Sequence, residues 1–190
     1  EEATSYRSAC MRASYLAEDR IDIRFAVKEA SRHMAAPSEA GIDALKRIAR
    51  YLLGAPRLVQ RFVRQSPVAA IHGQTDADFA GCLRARASTS CAVIRHGAHL
   101  IKMISATQKA ISLSSAESEY YALVRGACAA IGAASMTRDL GRELSVRFSA
   151  DASAAIGIAG RRGAGRVRHL DTATLWLQGH VTQKTILLSN

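Results

Sequence analysis

The sequence contains neither an apolar run long enough to span a membrane nor a secretory signal at its start. No apolar run among its 190 residues approaches the roughly 20 that a transmembrane helix needs. The first residues, EEATSYRSAC, contain no basic stretch followed by an apolar one, so they do not form a secretory signal. An initiator methionine is also lacking, which indicates a processed piece of a longer chain. We expect no membrane insertion and an intracellular location in the cytoplasm or nucleus, with an organelle as the remaining alternative.

Cysteine and proline are scarce. The four cysteines form no C-x-x-C pair and no Cys/His array with the spacing of a zinc site. We therefore expect free thiols in a reducing compartment. The chain contains three prolines and 48% hydrophobic residues, a composition that excludes disorder over most of its length.

Acidic residues are outnumbered by basic ones. The chain has 26 Lys and Arg residues against 16 Asp and Glu residues, a formal net charge of +10. A positive excess of this size raises the local concentration of polyanions and favours phosphate backbones. Nucleic acid is the partner that the charge predicts, and an acidic protein surface is the alternative.

The first third of the chain has helical periodicity, and we assign it to a helical segment over residues 1–57. Apolar residues recur at helical spacing within 23–30, and Pro37 ends that run. Ser38 then caps a second helix. This segment is the smaller of two predicted domains.

The second predicted domain covers residues 58–190. Residues 58–63 and 67–75 look extended, and a hairpin follows them. A long helix begins at Ser114, and a strand, a short helix, a basic loop, another helix and a last strand come after it. Hairpin strands followed by a helical crossover predict an α/β fold, a mixed sheet of about five strands with helices packed on it.

Three carboxylates stand at the ends of predicted elements. Asp76 ends the first core strand, Glu119 lies in the first turns of the long helix, and Asp151 ends a later strand. Clustered carboxylates repel one another and persist mainly when hydrated dications such as Mg²⁺ neutralise them. Two such ions about 4 Å apart can activate a water and stabilise the leaving oxygen of a phosphodiester. The spacing alone leaves two interpretations open, a dication site of this kind and three unrelated carboxylates.

The two aspartates of this set each leave an alternative open. Asp78 is an alternative to Asp76, because both point to one face if the strand continues. Asp151 is alternatively a cap of the helix that follows it, although Ser153 can serve as that cap.

Glu117 is the rival of Glu119. Ser114 and Glu117 have the S-x-x-E spacing of a capping box, in which each side chain satisfies a backbone N–H at the helix start. That structural role leaves Glu119, deeper in the helix, free for the site.

Several stretches together resemble the ribonuclease H segment of copia-type retrotransposon polyproteins. They include TDADFAGC, similar to that family's D-A-D-W-A-G, and SSAESEYYAL, SADASAAIGIAG and VRHLDT, the last similar to K-H-I-D. Upstream, YLAEDRIDIRFAVKEASRHMAAP and ALKRIARYLLGAPR resemble the segment that joins the reverse transcriptase to the ribonuclease H domain. The polymerase motif Y-x-D-D is absent.

The resemblance implies a ribonuclease H-like fold that hydrolyses the RNA strand of an RNA–DNA hybrid. Asp76, Glu119 and Asp151 would be the catalytic acids and the ligands of Mg²⁺, with Mn²⁺ as an alternative ion. A second hypothesis is a retained module of weak or lapsed activity that binds nucleic acid or scaffolds a larger protein or ribonucleoprotein assembly.

The resemblance also places a fourth acid in an A-D-I-L-T-K-like helix after the last strand, beyond Asn190. Asp171 is the candidate substitute within this sequence, and an ordinary helix N-terminal residue is its alternative role. With that helix missing, we expect a domain truncated at its C-terminus and a chain that cleaves hybrid slowly, if at all.

A basic, glycine-rich loop runs over residues 160–169. We expect its arginines to contact hybrid phosphates, and a solvated flexible loop is the alternative. His169 is assigned either to product release or proton transfer, or to the surface. The arginines are Arg161, Arg162, Arg166 and Arg168.

Overall fold

The computed structural model describes residues 2–82, 85–165, 167, 169–170 and 172–189. The chain divides into two compact units, residues 1–62 and 63–190. Within the described ranges no helix is long and apolar enough to cross a membrane.

The first unit is helical, as the periodicity predicts. Its helices are α1 (Glu2–Leu16), α2 (Arg24–Ser31) and α3 (Glu39–Gly54). The Ser38 hydroxyl accepts a hydrogen bond from the Gly41 N–H at 3.3 Å, which confirms the predicted cap of α3. The helices bury a shared apolar cluster consisting of Tyr6, Cys10, Ala17, Ile23, Val27, Ala30 and Ile48.

The second unit contains a five-stranded sheet, which confirms the predicted mixed architecture. The strands lie side by side in the order β3-β2-β1-β4-β5. β1 pairs antiparallel with β2 and parallel with β4. β2 and β3 form the predicted antiparallel hairpin, and β5 runs parallel to β4. The strand bounds are β1 (Ala70–Asp78), β2 (Thr89–His96), β3 (His99–Thr107), β4 (Ser145–Ala150) and β5 (Ile186–Ser189).

Residues 58–63, which look extended in the sequence, form neither a helix nor a strand. Leu58, Val59 and Phe62 are exposed there. Without a neighbouring strand to supply hydrogen bonds, alternating apolar residues do not make a strand.

In the described part of this unit the sheet is accompanied by the helices α4 (Ser115–Asp139), α5 (Ser153–Gly160) and α6 (Trp176–Thr182). The long helix α4 packs across β1 and β2 through small residues. A Cβ atom on Gly126 would lie 2.7 Å from the Thr75 Cγ2, so only glycine permits this close approach. A Cβ on Gly73 would likewise lie 2.1 Å from the buried Phe148 ring. The core between helix and sheet is therefore close-packed beside the predicted site.

Candidate active site

The parallel pairing of β1 and β4 brings two of the predicted acids to one edge of the sheet. Thr75 in β1 lies opposite Ala150 in β4. Asp76 and Asp151 directly follow this pair, so both lie at the same edge of the sheet. Asp151 follows the last residue of β4, whereas β1 continues to Asp78, so the prediction that β1 ends at Asp76 is wrong. Both side chains are exposed to solvent.

Glu119 reaches this edge from α4. Its Oε1 accepts a hydrogen bond from the Ala77 N–H at 3.1 Å, which ties the helix to the end of β1. Carboxylate oxygens of Asp76, Glu119 and Asp151 all lie within 4.8 Å of one another. The structure thus brings together the three acids that the sequence singled out, and we call them the carboxylate cluster.

Glu119 is the buried member of the carboxylate cluster. Only 6% of the residue is exposed, and burial raises the pKa of its carboxyl to about 7. The Ala77 N–H opposes this shift, while the charges of Asp76 and Asp151 add to it. Its second oxygen, Oε2, is buried without a hydrogen-bond partner among the described residues.

These features fit a divalent cation. A buried carboxylate oxygen without a partner is costly unless something positive reaches it. Three convergent carboxylates offer the oxygen ligands that hard dications prefer. The carboxylate cluster can therefore hold a divalent metal ion.

Glu117 points away from the carboxylate cluster and back to the start of α4. Its Oε2 accepts a hydrogen bond from the Leu113 N–H at 2.8 Å, and its own N–H donates to the Ser114 hydroxyl at 3.3 Å. The arrangement is a capping box in which the carboxylate bonds the residue before the N-cap rather than the N-cap itself.

The same Glu117 oxygen lies 2.8 Å from His169 Nε2, a contact that the sequence did not predict. Glu117 is 1% exposed, whereas the His169 side chain is 43% exposed. The two residues are 52 positions apart, and no local pattern relates them. His169 thus has a specific partner at the start of α4.

Asp78, the alternative to Asp76, takes a structural role, whereas the capping alternatives proposed for Asp151 and Ser153 do not hold. Asp78 Oδ1 accepts a hydrogen bond from the Thr89 N–H and so joins the end of β1 to the start of β2. Neither Asp151 nor Ser153 caps α5, because Ala152 occupies the N-cap without a side-chain bond. Both capping interpretations are therefore wrong.

The basic loop is described in part. Arg161 and Arg162 follow α5, whereas Arg166, Arg168 and Asp171 lie outside the described residues. The sequence pattern did not predict the role of Gln178, which is buried in α6 and hydrogen-bonded to this loop. A lone glutamine within a helix gives no sequence signal for such a contact.

The sheet has three antiparallel strands followed by two parallel ones. The acids lie near the ends of β1 and β4 and at the start of α4. Together these two features define a ribonuclease H-like domain. No protein-family model matches the chain. Among curated proteins, the retrovirus-related Pol polyprotein from transposon RE1 of Arabidopsis thaliana is 38% identical over 117 residues. That match covers 62% of this chain and 8% of the polyprotein.

A second relative, the secreted RxLR effector protein 161 of Plasmopara viticola, is 35% identical over 104 residues, covering 55% of this chain and 72% of the effector. Homologues of the chain are thus copia-type, retrovirus-related Pol polyproteins from transposons, and the chain spans about a tenth of the length of the first of these relatives. Among solved structures, LC11-RNase H1 isolated from compost is 14% identical with a TM-score of 0.43, covering 65% of this chain and 84% of that one.

Proposed function

We propose that the second unit hydrolyses the RNA strand of RNA–DNA hybrids in a reaction that depends on Mg²⁺. The observation that supports this proposal is the carboxylate cluster, in which a buried glutamate oxygen has no partner among the described residues. On an ordinary acidic surface all three carboxylates would stay in water, because burying one of them beside two others costs free energy.

In this proposal Asp76, Glu119 and Asp151 are the metal ligands and the catalytic residues. Mn²⁺ satisfies the same oxygen ligands and is the alternative ion. Dications bound at such sites activate a water and stabilise the leaving oxygen of a phosphodiester. The exposed Asp76 and Asp151 meet the substrate side, while the Ala77 N–H fixes Glu119 behind them.

The hybrid is held, in this proposal, by the positive charge of the protein and by the loop after α5. The formal net charge of +10 favours a polyanion. Arg161 and Arg162 stand in the described part of that loop, and the 2′-hydroxyl of the RNA strand distinguishes it from DNA.

The decisive test compares two aspartates of the same strand. Asp76→Asn removes a charge from the carboxylate cluster and should abolish cleavage of a labelled hybrid in Mg²⁺. Asp78→Asn also removes one charge but keeps the oxygen that accepts the Thr89 N–H, so it should retain wild-type cleavage. Cleavage by wild-type protein should stop when a chelator is added.

Equal activity of wild-type and Asp76→Asn proteins would contradict the proposal. Absence of cleavage by a folded wild-type protein in Mg²⁺ and in Mn²⁺ would also reject it. That second result would favour a module that binds nucleic acid or scaffolds an assembly without catalysing hydrolysis.

A further inference from the structure

The loop after α5 has a defined backbone conformation over residues 161–165. Gly163 and Gly165 have φ angles of +75° and +57°, which other residues rarely adopt. A Cβ atom on Gly165 would lie 2.8 Å from the Arg161 guanidinium carbon, so this arginine folds closely over the glycine. The loop therefore depends on both glycines for its shape.

Gln178 holds this loop from the side of α6. Its Nε2 donates to the carbonyl oxygens of Ile158 at 2.8 Å and Gly163 at 3.0 Å. Its Oε1 accepts the Gly163 N–H at 2.8 Å. One buried side chain, 5% exposed, thus satisfies both backbone polar groups of Gly163 and fixes the end of α5 as well.

The two arginines of the loop differ in their surroundings. The Arg161 guanidinium donates to the Ala164 carbonyl at 2.6 Å, and its Nε is buried without a partner among the described residues. Arg162 is exposed to solvent. The loop holds the Arg161 guanidinium against its own backbone while the residue stays partly exposed, and it leaves Arg162 exposed to solvent.

We propose that Gln178 is a positioning residue that holds the loop in a preformed phosphate-binding conformation. Gln178 itself contacts no substrate in this proposal. Because Gln178 fixes Gly163, the loop is already ordered before it binds. Binding of Arg161 and Arg162 to the hybrid backbone therefore costs less conformational entropy than it would for a mobile loop. This inference rests on the proposed function, because the phosphate belongs to the hybrid substrate.

The test replaces Gln178 with methionine, which has a similar volume and lacks the amide. Gln65→Met is the matched control, since Gln65 bonds a turn of the β2–β3 hairpin in the same manner. The Gln65 side chain donates to the His96 carbonyl at 3.0 Å and accepts the Ala98 N–H at 3.0 Å. Thermal unfolding of both variants shows how much general stability each substitution removes.

Two measurements follow on the folded proteins. Trypsin under native conditions should cut after Arg161 or Arg162 faster in Gln178→Met than in wild type or in Gln65→Met. Affinity for a labelled hybrid, measured with chelator present so that no cleavage occurs, should fall about three- to tenfold in Gln178→Met and remain unchanged in Gln65→Met. The slope of affinity against salt should stay at the wild-type value, because no cation has been removed.

Hybrid binding and trypsin resistance of Gln178→Met equal to wild type would overturn the inference. A reduced salt slope would also overturn it, because it would mean that phosphate contacts had been lost. If the wild-type protein binds no hybrid, both the proposed function and this inference are wrong. If the wild-type protein binds hybrid and Gln178→Met binds it equally well, only this inference is wrong. If Gln178→Met does not fold, Gln178→Glu keeps the acceptor for the Gly163 N–H and should change both measurements in the same direction.

Discussion

At the residue scale, three properties of Glu119 act together on its carboxyl group. It is buried, it lies next to two other carboxylates, and only one of its oxygens has a partner among the described residues. In the absence of metal each property disfavours the charged form, and the pKa rises to about 7. A bound dication would reverse this preference, because the ion binds the deprotonated carboxylate.

The raised pKa of Glu119 predicts how stability depends on pH when a chelator is present. Between the ordinary value of 4.5 and about 7, the folded protein retains a proton that the unfolded chain has released. The contribution of Glu119 to folding is therefore greatest below pH 4.5 and is lost as pH rises through 7, a change of about 3 kcal/mol at most. Glu119→Gln should remove this part of the pH dependence and be more stable than wild type at pH 8.

Urea unfolding at pH 5 and pH 8 measures this effect. Glu143→Gln is the control, since it removes an exposed acid and leaves Glu119 in place. The interpretation is wrong if Glu119→Gln keeps the wild-type difference between the two pH values.

At the scale of the element, α4 serves two sites with two nearby carboxylates. Glu117 and Glu119 are two residues apart, so they point about 200° apart around the helix axis. One side chain caps the helix and contacts His169, and the other enters the carboxylate cluster. The position of the Glu119 carboxylate in the carboxylate cluster therefore depends on how closely α4 approaches β1.

Alanine substitutions at two glycines of α4 distinguish the effect of this close packing on stability from the effect of helix propensity. Gly132→Ala meets no atom within 4 Å and should stabilise the protein by up to about 1 kcal/mol through helix propensity. Gly126→Ala gains the same propensity, but its Cβ would meet Thr75 at 2.7 Å and Phe148 at 3.0 Å. We expect it to destabilise the protein by about 1–3 kcal/mol.

Thermal or urea unfolding of the two variants checks this difference in sign. Equal stability of Gly126→Ala and Gly132→Ala would show that the helix can move from the sheet without cost. A loss of cleavage in Gly126→Ala alone would further link the position of α4 to Glu119.

At the scale of the whole molecule, the dominant physical property is the positive charge. A formal charge of +10 attracts any polyanion, so binding alone does not identify the surface that nucleic acid contacts. The number of released counterions, read from the dependence on salt, does report on local contacts.

Neutralising two loop arginines should therefore change the salt dependence of hybrid binding. Arg161→Gln with Arg162→Gln should weaken binding and reduce the slope of log affinity against log salt by about two. The control pair, Arg12→Gln with Arg50→Gln, removes the same total charge from exposed positions of the first unit and should leave the slope nearly unchanged. Equal slopes for both double variants would show that the loop is not the contact surface.

The sequence by itself determined the order and type of most elements. Helical periodicity, the Ser114 cap and the hairpin pattern are set by near neighbours in the chain, and the structure confirms them. The choice of Glu119 over Glu117 also followed from local capping chemistry. The prediction of an extended strand over residues 58–63 was wrong, because alternation of apolar residues alone does not supply a hydrogen-bonding partner.

Only the tertiary structure decided which distant groups meet. The 4.8 Å convergence of the three acids depends on the parallel register of β1 and β4 and on the approach of α4. The contacts of Glu117 with His169 and of Gln178 with Gly163 join residues 52 and 15 positions apart. Such pairs leave no periodic signal, because packing between elements rather than spacing along the chain brings them together. The raised pKa of Glu119 arises in the same way, since burial and neighbouring charge exist only in the folded protein.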